Sequence, residues 1–448
     1  MSNLTAIVLC AGKSLRMMSS KSKILHRIGD LEIINHVVNT LKSVNSDEII
    51  LVVSPDNRAA VENISAKDIK MAVQTDISGT CSATKIGLGA LENMDDAVLV
   101  TYGDVPFIKK GTYEKMINYI ANSNYSIVTL GFHTKNIENR YGRLVLNKKN
   151  KLEKIIEYRD ADNLQRKSTL CNAGVYIARN PGILSQLLDL VKNNNAAREY
   201  YLTDIVELAA TNSLECGCII TDENEVVGVN SRKELSSAEQ IFQDSKREEF
   251  MAKGVTLVDP KSTFFSYDTE IASDVIIEPN VIFMTGVKID RGATIKSFSY
   301  LEGCEVGSGV TVGPFARLRP GSILEKNSKI GNFCEIKKSR IGSNTKISHL
   351  SYIGDSDIGA DTNVGAGTIT CNYDGYSKFE IKVGDNSFIG SNTILVAPVE
   401  IGENSLIAAG SVITEDVLAN SLAIARAEQK IIPNGMLKYR KKREKQDL

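Results

Sequence analysis

At 448 residues the chain exceeds one ordinary core, and roughly 100–200 residues per domain points to two large domains or three small ones. With 42% apolar and 24% charged residues, 33 glycines and a net charge of −1, it has a soluble globular composition and no global pull toward nucleic acid or membrane. It has no run of about 18 apolar residues to span a bilayer and no leader-like pattern at its N-terminus, so a cytoplasmic location is expected. The eight cysteines are scattered without a paired CxxC set, which indicates neither a disulfide framework nor a zinc site. Cys216-Gly217-Cys218, within CGCII, alternates as a strand does and is read as one in preference to a redox pair.

From Leu4 to about Phe132 the runs TAIVLC, EIILVV, AVLVTY and SIVTLGF alternate with stretches at helical spacing, Glu32 to Leu41 and Ser82 to Leu91. That is the signature of βαβ units around a parallel sheet, and ligands of such sheets sit at the carboxyl ends of the strands. Residues 141–179 read as mixed strands and turns. A helix is predicted over Glu199 to Ala210 and a last strand over Glu225 to Val229.

The first strand ends in Leu9-Cys10-Ala11-Gly12-Lys13-Ser14-Leu15-Arg16-Met17, followed by Ser22-Lys23. Small residues let the backbone approach a nucleotide, and Arg and Lys neutralise a polyphosphate; alone, such a loop is as often a solvated turn. Tyr102-Gly103-Asp104-Val105-Pro106 adds a carboxylate at the end of another strand, and Gly228-Val229-Asn230 an amide oxygen. Two hard oxygen donors beside a phosphate site suit Mg²⁺. Together these runs resemble the sugar-nucleotide pyrophosphorylases. Within that group they resemble the first half of the bacterial bifunctional N-acetylglucosamine-1-phosphate uridyltransferases/glucosamine-1-phosphate acetyltransferases. The resemblance implies that Leu9, Cys10, Ala11, Gly12, Gln74, Gly79 and Thr80 hold the uridine and that Arg16 and Lys23 meet the phosphates. It also implies Tyr102 and Gly103 in the nucleotide-sugar site, sugar contacts from Gly142, Glu157 and Asn172, and Mg²⁺ on Asp104 and Asn230. Ser14, Leu15 and Ser22 depart from the family loop. Ser14 in particular stands where glycine would be free to take a positive φ.

Ser236 to Lys253, rich in Glu, Gln, Lys and Arg, is predicted to be a linker helix. After Val255 a six-residue repeat takes over, as in VGSGVT at 306, IGSNTK at 341, IGADTN at 358, IGSNTI at 389 and IGENSL at 401. That period marks a parallel β-helix, with the aliphatic residue stacked inside and small residues at the corners. Breaks are expected at Leu324 to Lys329 and at Cys371 to Lys382, the second as a loop leaving the prism.

His349, in ISHLSY, is the one histidine within the repeats, and a lone histidine is more often structural than functional. Around it stand Arg317 and Arg319, Lys337 and Lys338, Tyr352, Asn363, Asn372, Tyr373 and Lys378. Basic residues one coil apart can line one face of a solenoid and hold a phosphate, and a neutral imidazole beside them would be placed to take a proton. RLRPG, GNFCEIKKS, ISHLSYIGD, VGAGTITCNYDG and LAIAR resemble the acetyltransferase half of the same bifunctional family. The resemblance supplies the left hand of the helix. It also implies His349 as general base, and Arg319, Lys337, Tyr352, Asn363 and Lys378 on glucosamine 1-phosphate. Acetyl-CoA is implied on Ala366, Asn372, Tyr373, Ser391, Ala409 and Arg426, with the Ala366 backbone N–H facing the oxyanion, and a homotrimer as the assembly. The basic run Lys438 to Lys445 is either a solvated terminus or a contact for the CoA phosphates.

The expected architecture is thus an α/β nucleotidyltransferase domain over 1–230, Rossmann-like with a mostly parallel sheet, then a linker helix at 231–253. A left-handed parallel β-helix of hexapeptide repeats with a C-terminal tail follows over 254–448. The expected substrates are glucosamine 1-phosphate, acetyl-CoA and UTP. Two rivals stand beside this reading: a pyrophosphorylase whose β-helix only regulates, and a scaffold whose β-helix is an oligomerisation post.

Overall fold

The computed structural model describes residues 4–63, 69–76, 78–92 and 97–444. The chain divides into two compact units, Met1–Gln243 and Asp244–Leu448. The division falls within one helix, Arg232–Ala252.

The first unit is built on a nine-stranded sheet in the order Lys70–Val73, Glu48–Val53, Leu4–Leu9, Ala97–Tyr102, Leu170–Ala178, Ile127–His133, Cys216–Thr221, Leu152–Ile156 and Arg143–Leu146. Strands Lys70–Val73 through Ala97–Tyr102 pair in parallel. Leu170–Ala178 runs antiparallel between Ala97–Tyr102 and Ile127–His133. Leu4–Leu9 is buried along its whole length, as expected of a central strand covered on both faces. Helices Ile33–Ser43 and Thr80–Leu88 match the helical spacings read at 32–41 and 82–91. Cys216 and Cys218 lie on a strand, as their alternation predicted.

Two predicted elements differ. The helix expected from Glu199 begins only at Asp204 and runs to Thr211, because Tyr200 is occupied elsewhere: its N–H and C=O bond the backbone of Ser78 and Cys81. The strand expected over Glu225 to Val229 is a 3₁₀ turn, Glu223–Val226, followed by extended chain. Asp222 caps that turn by accepting Asn224 N–H at 2.8 Å, and Glu225 is held by the Thr112 hydroxyl at 2.6 Å.

The second unit is a parallel β-helix of three sheets with ten, eight and eight strands. Coil sits on coil in register, with Ile330 against Ile347, Ile336 against Ile353 and Ile341 against Ile358, all essentially unexposed. Each position of the hexad has a physical task, which IGSNTK shows. Ile341 fills the core. Gly342 lets the next coil approach, since a Cβ there would lie 2.5 Å from Ala360 N. Asn344 turns the corner at φ 61°, a left-handed conformation that Asn and Gly tolerate best. Thr345 is buried beneath the corner.

The break expected at Leu324 to Lys329 does not occur. Leu324 and Ile330 are both inside, Asn327 turns the corner at φ 58°, and Ser328 is buried, so Glu325 simply stands in the glycine position. The second excursion does leave the prism. Asn372–Glu380 form a small hairpin closed by a Tyr373–Lys378 bridge, with Asp374 accepting the Tyr376 and Ser377 N–H groups at 2.8 and 2.7 Å. The tail, read as either a solvated terminus or a contact for the CoA phosphates, carries an exposed helix, Gly435–Glu444. Lys445, the end of its predicted basic run, lies outside the described residues.

Candidate active sites

A cavity of about 750 Å³ opens at the carboxyl ends of the parallel strands. Leu9, Cys10, Ala11, Gly12, Arg16, Lys23, Gln74, Gly79, Thr80, Tyr102, Asp104, Gly142, Glu157, Asn172 and Asn230 all line it. Of the residues expected there only Gly103 does not. It lies under the loop, where a Cβ would come 2.6 Å from the Cys10 sulfur. A second cavity, about 570 Å³, continues past Ala11 and Gly12 to Lys13, Ser14, Lys21 and Ser22.

The loop is fixed by its serine departure. Ser14 has φ −88°, so no positive φ is needed there, and its hydroxyl accepts the Lys23 N–H at 2.8 Å. Gly79 does need its freedom: it has φ 131°, and a Cβ would lie 2.4 Å from the Tyr200 carbonyl oxygen. Gln74 braces this turn by donating to the Asp76 and Gly79 carbonyls at 3.0 and 3.4 Å.

Asp104 and Asn230 converge. The Val229 N–H donates to the Asp104 carbonyl at 2.9 Å, and the Lys23 ammonium bridges the Asp104 carboxylate and the Asn230 Oδ1, the latter at 2.6 Å. Sequence reasoning missed Glu234, which holds Asn230 by accepting its N–H at 2.8 Å and the Ser231 hydroxyl at 3.1 Å. The signal was the capping-box spacing Ser231-x-x-Glu234. Elsewhere on the cavity wall, burial raises the Glu157 carboxyl above its ordinary range, a shift opposed by the Thr203 hydroxyl at 3.2 Å. Asn172 staples a bulge through Tyr176 and Gly174 at 2.8 and 3.0 Å. Arg143, also missed, is 1% exposed. It clamps the loop before Gly142 by donating to Asn139 Oδ1 at 2.9 Å and the Ile137 carbonyl at 3.2 Å. Nothing in the sequence marks it, since most of its partners are carbonyls.

In the β-helix the predicted residues other than Tyr352 and Asn363 fall into two columns on adjacent corners. Along one run Asn332, His349, Ala366, Ser391 and Ala409, each two residues past an inward position on successive coils. Gly367 N–H bonds the His349 carbonyl at 3.3 Å, Asn392 N–H that of Ala366 at 2.7 Å, and Gly410 N–H that of Ser391 at 2.8 Å. Arg426 ends the column on the Ala409 carbonyl at 2.8 Å. His349 is exposed, and its Nδ1 lies 2.6 Å from Asn332 Oδ1. That oxygen only accepts, so Nδ1 carries the hydrogen, and in the neutral ring it is Nε2 that has the free lone pair. Asn332 was missed, although the coil spacing puts it beside His349.

The second column is cationic. Arg317 and Arg319 meet Glu335 at 3.7 and 2.9 Å, and one coil on Lys337 and Lys338 each meet Asp355 at 3.4 Å. Burial opposes ionisation of Asp355, but the Asn372 amide and the two lysines hold its carboxyl below the usual range. Lys337 pushes Lys378 below the ordinary lysine range, because only a neutral Lys378 amine could accept a hydrogen bond from the Lys337 ammonium and a charged one meets a like charge. Asn372 therefore joins the lysine corner and not the His349 column, and Tyr373 lies on the same hairpin. Tyr352 is on the sheet between the two corners. Asn363 is on the sheet on the other side of His349, so one chain does not bring it to the lysines.

This is a nucleotidyltransferase-type α/β unit followed by a hexapeptide-repeat transferase. The MobA-like NTP transferase domain family matches residues 6–170, and the bacterial transferase hexapeptide (six repeats) family matches 303–338 and 380–415. The chain is 44% identical to the bifunctional protein GlmU of Bartonella quintana, over 95% of this chain and 94% of that one. It is also 44% identical to that of Agrobacterium fabrum, over 98% and 96%, and to that of Wolbachia pipientis wMel, over 95% and 97%. The chain belongs to the GlmU family of bifunctional uridyltransferase–acetyltransferases, and neither rival reading stands.

Proposed function

We propose that the chain makes UDP-N-acetylglucosamine in two steps, acetylating glucosamine 1-phosphate along the His349 column and joining the product to UTP in the 750 Å³ cavity. The observation that carries the reading is the convergence of Lys23, Asp104 and Asn230 in a cavity lined by nearly every residue the motifs single out.

In the first unit, Leu9–Gly12, Gln74, Gly79 and Thr80 would hold the uridine, with Arg16 and Lys23 neutralising the phosphates. Gly142, Glu157 and Asn172 would hold the sugar. A sugar-phosphate oxygen attacks the α-phosphorus, forming one P–O bond as pyrophosphate leaves with the other, so positioning and charge neutralisation suffice without a protein nucleophile. One carboxylate and one amide oxygen drawn to a single ammonium suit a hard cation whose shell is completed by phosphate and water. Asp104 and Asn230 would hold Mg²⁺, which supplies charge stabilisation at the phosphates.

In the second unit, His349 Nε2 would take a proton from the sugar ammonium. The freed amine then attacks the thioester carbonyl, forming C–N and releasing CoA thiol, while the Ala366 N–H faces the oxyanion. Arg319, Lys337, Tyr352 and Lys378 would hold the sugar phosphate, and Ser391, Ala409 and Arg426 the CoA. Asn363 lies on a different sheet from the lysines, and beside the His349 column Phe298, Phe315 and Phe333 stack at 4.8 and 5.2 Å on an exposed corner. Both features support a homotrimer in which a neighbouring chain completes each site. Light scattering should give three times the 48.9 kDa chain; a fully active monomer would refute this.

The test supplies glucosamine 1-phosphate, acetyl-CoA, UTP and Mg²⁺ and follows both products. N-acetylglucosamine 1-phosphate should form first and UDP-N-acetylglucosamine after it, the second step stopping in excess chelator. Formation of neither product by folded protein would reject the reading.

A further inference from the structure

We propose that Lys23 is the resident cation of the Asp104–Asn230 pair, and that a divalent metal enters only by displacing its ammonium, which then moves onto nucleotide phosphate. The proposal rests on the reading that this pair takes Mg²⁺. The ammonium donates to both oxygens at once, Asp104 Oδ2 and Asn230 Oδ1, and the Lys23 and Asp104 side chains are only 15% and 14% exposed. A metal bound by these two groups would have to use their remaining lone pairs and would sit directly beside the ammonium. Contact by both cations would also place like charges side by side in a partly enclosed site, where repulsion is only weakly screened. The two cations therefore compete for the pair, and the repulsion favours one at a time.

The lysine is built to swing and not to drift. Its backbone sits at the start of the 3₁₀ turn Lys23–Leu25 and is tied to Ser14 Oγ at 2.8 Å, so only the four-carbon arm is free to relocate. It lines the same cavity as Arg16 and the Cys10–Gly12 loop, where a polyphosphate would offer the displaced ammonium a new anion. Metal and nucleotide should then bind with positive coupling, each making the other's site available. Without nucleotide, the lysine keeps the Asp104 carboxylate paired and the two donors at a common point.

The experiment measures Mn²⁺ binding to the full-length protein without nucleotide, by the electron paramagnetic resonance of free Mn²⁺. Lys23→Met should bind Mn²⁺ on the order of tenfold more tightly than wild type, about 1.4 kcal/mol, and the gain should vanish in Lys23→Met/Asp104→Asn. The rise in Tm on adding Mn²⁺ should be larger in Lys23→Met than in wild type. Wild-type crystals soaked in Mn²⁺ alone test the same point without a variant: an anomalous peak between Asp104 and Asn230 must come with Lys23 turned away. Equal affinities in wild type and Lys23→Met, with Asp104 still required, would overturn the displacement. So would a metal at the pair with Lys23 still bonded to both oxygens. If Asp104→Asn leaves Mn²⁺ binding unchanged even with UTP present, the metal reading itself is wrong and the proposal goes with it.

Discussion

Asn332 decides which nitrogen of His349 is free to act. With Nδ1 held at 2.6 Å by the amide oxygen, Nε2 presents its lone pair in a fixed direction, and losing that brace leaves the ring free to rotate and to change tautomer. Asn332→Ala should therefore lower kcat for acetyl transfer on the order of 10–10²-fold, with little change in KM for acetyl-CoA, as steady-state kinetics would read. An unchanged kcat would mean that the imidazole is oriented by substrate instead. In the first unit, burial raises the Asp204 carboxyl to about 6 from 3.8, with Glu207 adding to the shift. A carboxyl whose folded value is raised favours the fold while protonated and opposes it once ionised. The cost is absent below about pH 4, grows between 4 and 6, and is full above. Asp204→Asn should thus stabilise the protein at pH 7.5 by roughly 1–2 kcal/mol and lose its advantage near pH 4. A thermal melt showing the same gain at both pH values would contradict this. Residues of these two kinds differ in legibility. Asp104, Asn230 and His349 stand out because their chemistry sits at strand ends or in a repeat. Asn332 and Arg143 act through geometry, and only a coil spacing hints at the first.

At the scale of elements, period was more legible than boundary. The hexad identified the β-helix because each position has a distinct steric task, yet the same pattern misled at Leu324 to Lys329. There Glu325 fills the glycine position without interrupting the stack, because Leu324, Asn327 and Ile330 keep the inward and corner positions. The helix expected from Glu199 and the strand expected at Glu225 failed for a different reason. Long-range bonds, from Tyr200 to the backbone of Ser78 and Cys81 and from Thr112 to Glu225, set those segments against their local preference. If the glycine after the inward residue sets coil spacing, Gly342→Ala should cost about 1–3 kcal/mol, since its Cβ would strike backbone at 2.5 Å. Acetyl transfer should then be lost at a lower temperature than in wild type, while uridyl transfer keeps its inactivation temperature. Loss of both together would show that the two units unfold as one.

At the scale of the whole molecule, the chain joins two chemistries whose proposed sites, one in a cavity of the α/β unit and one along the corners of a prism, share no assigned residue. Both were visible in sequence because each relies on short contiguous motifs. The homotrimer proposed to complete the second site rests at the sequence level on the family resemblance alone, since single-chain periodicity carries no partner. The measurement that bears most directly on this division is a paired assay of His349→Ala and Asp104→Asn, each tested for both reactions with its own substrates. His349→Ala should lose acetyl transfer on the order of 10²–10⁴-fold and keep uridyl transfer from N-acetylglucosamine 1-phosphate near wild type, while Asp104→Asn should do the reverse. Full acetyl transfer by folded His349→Ala, or loss of both reactions in either folded variant, would contradict the account of two independent sites.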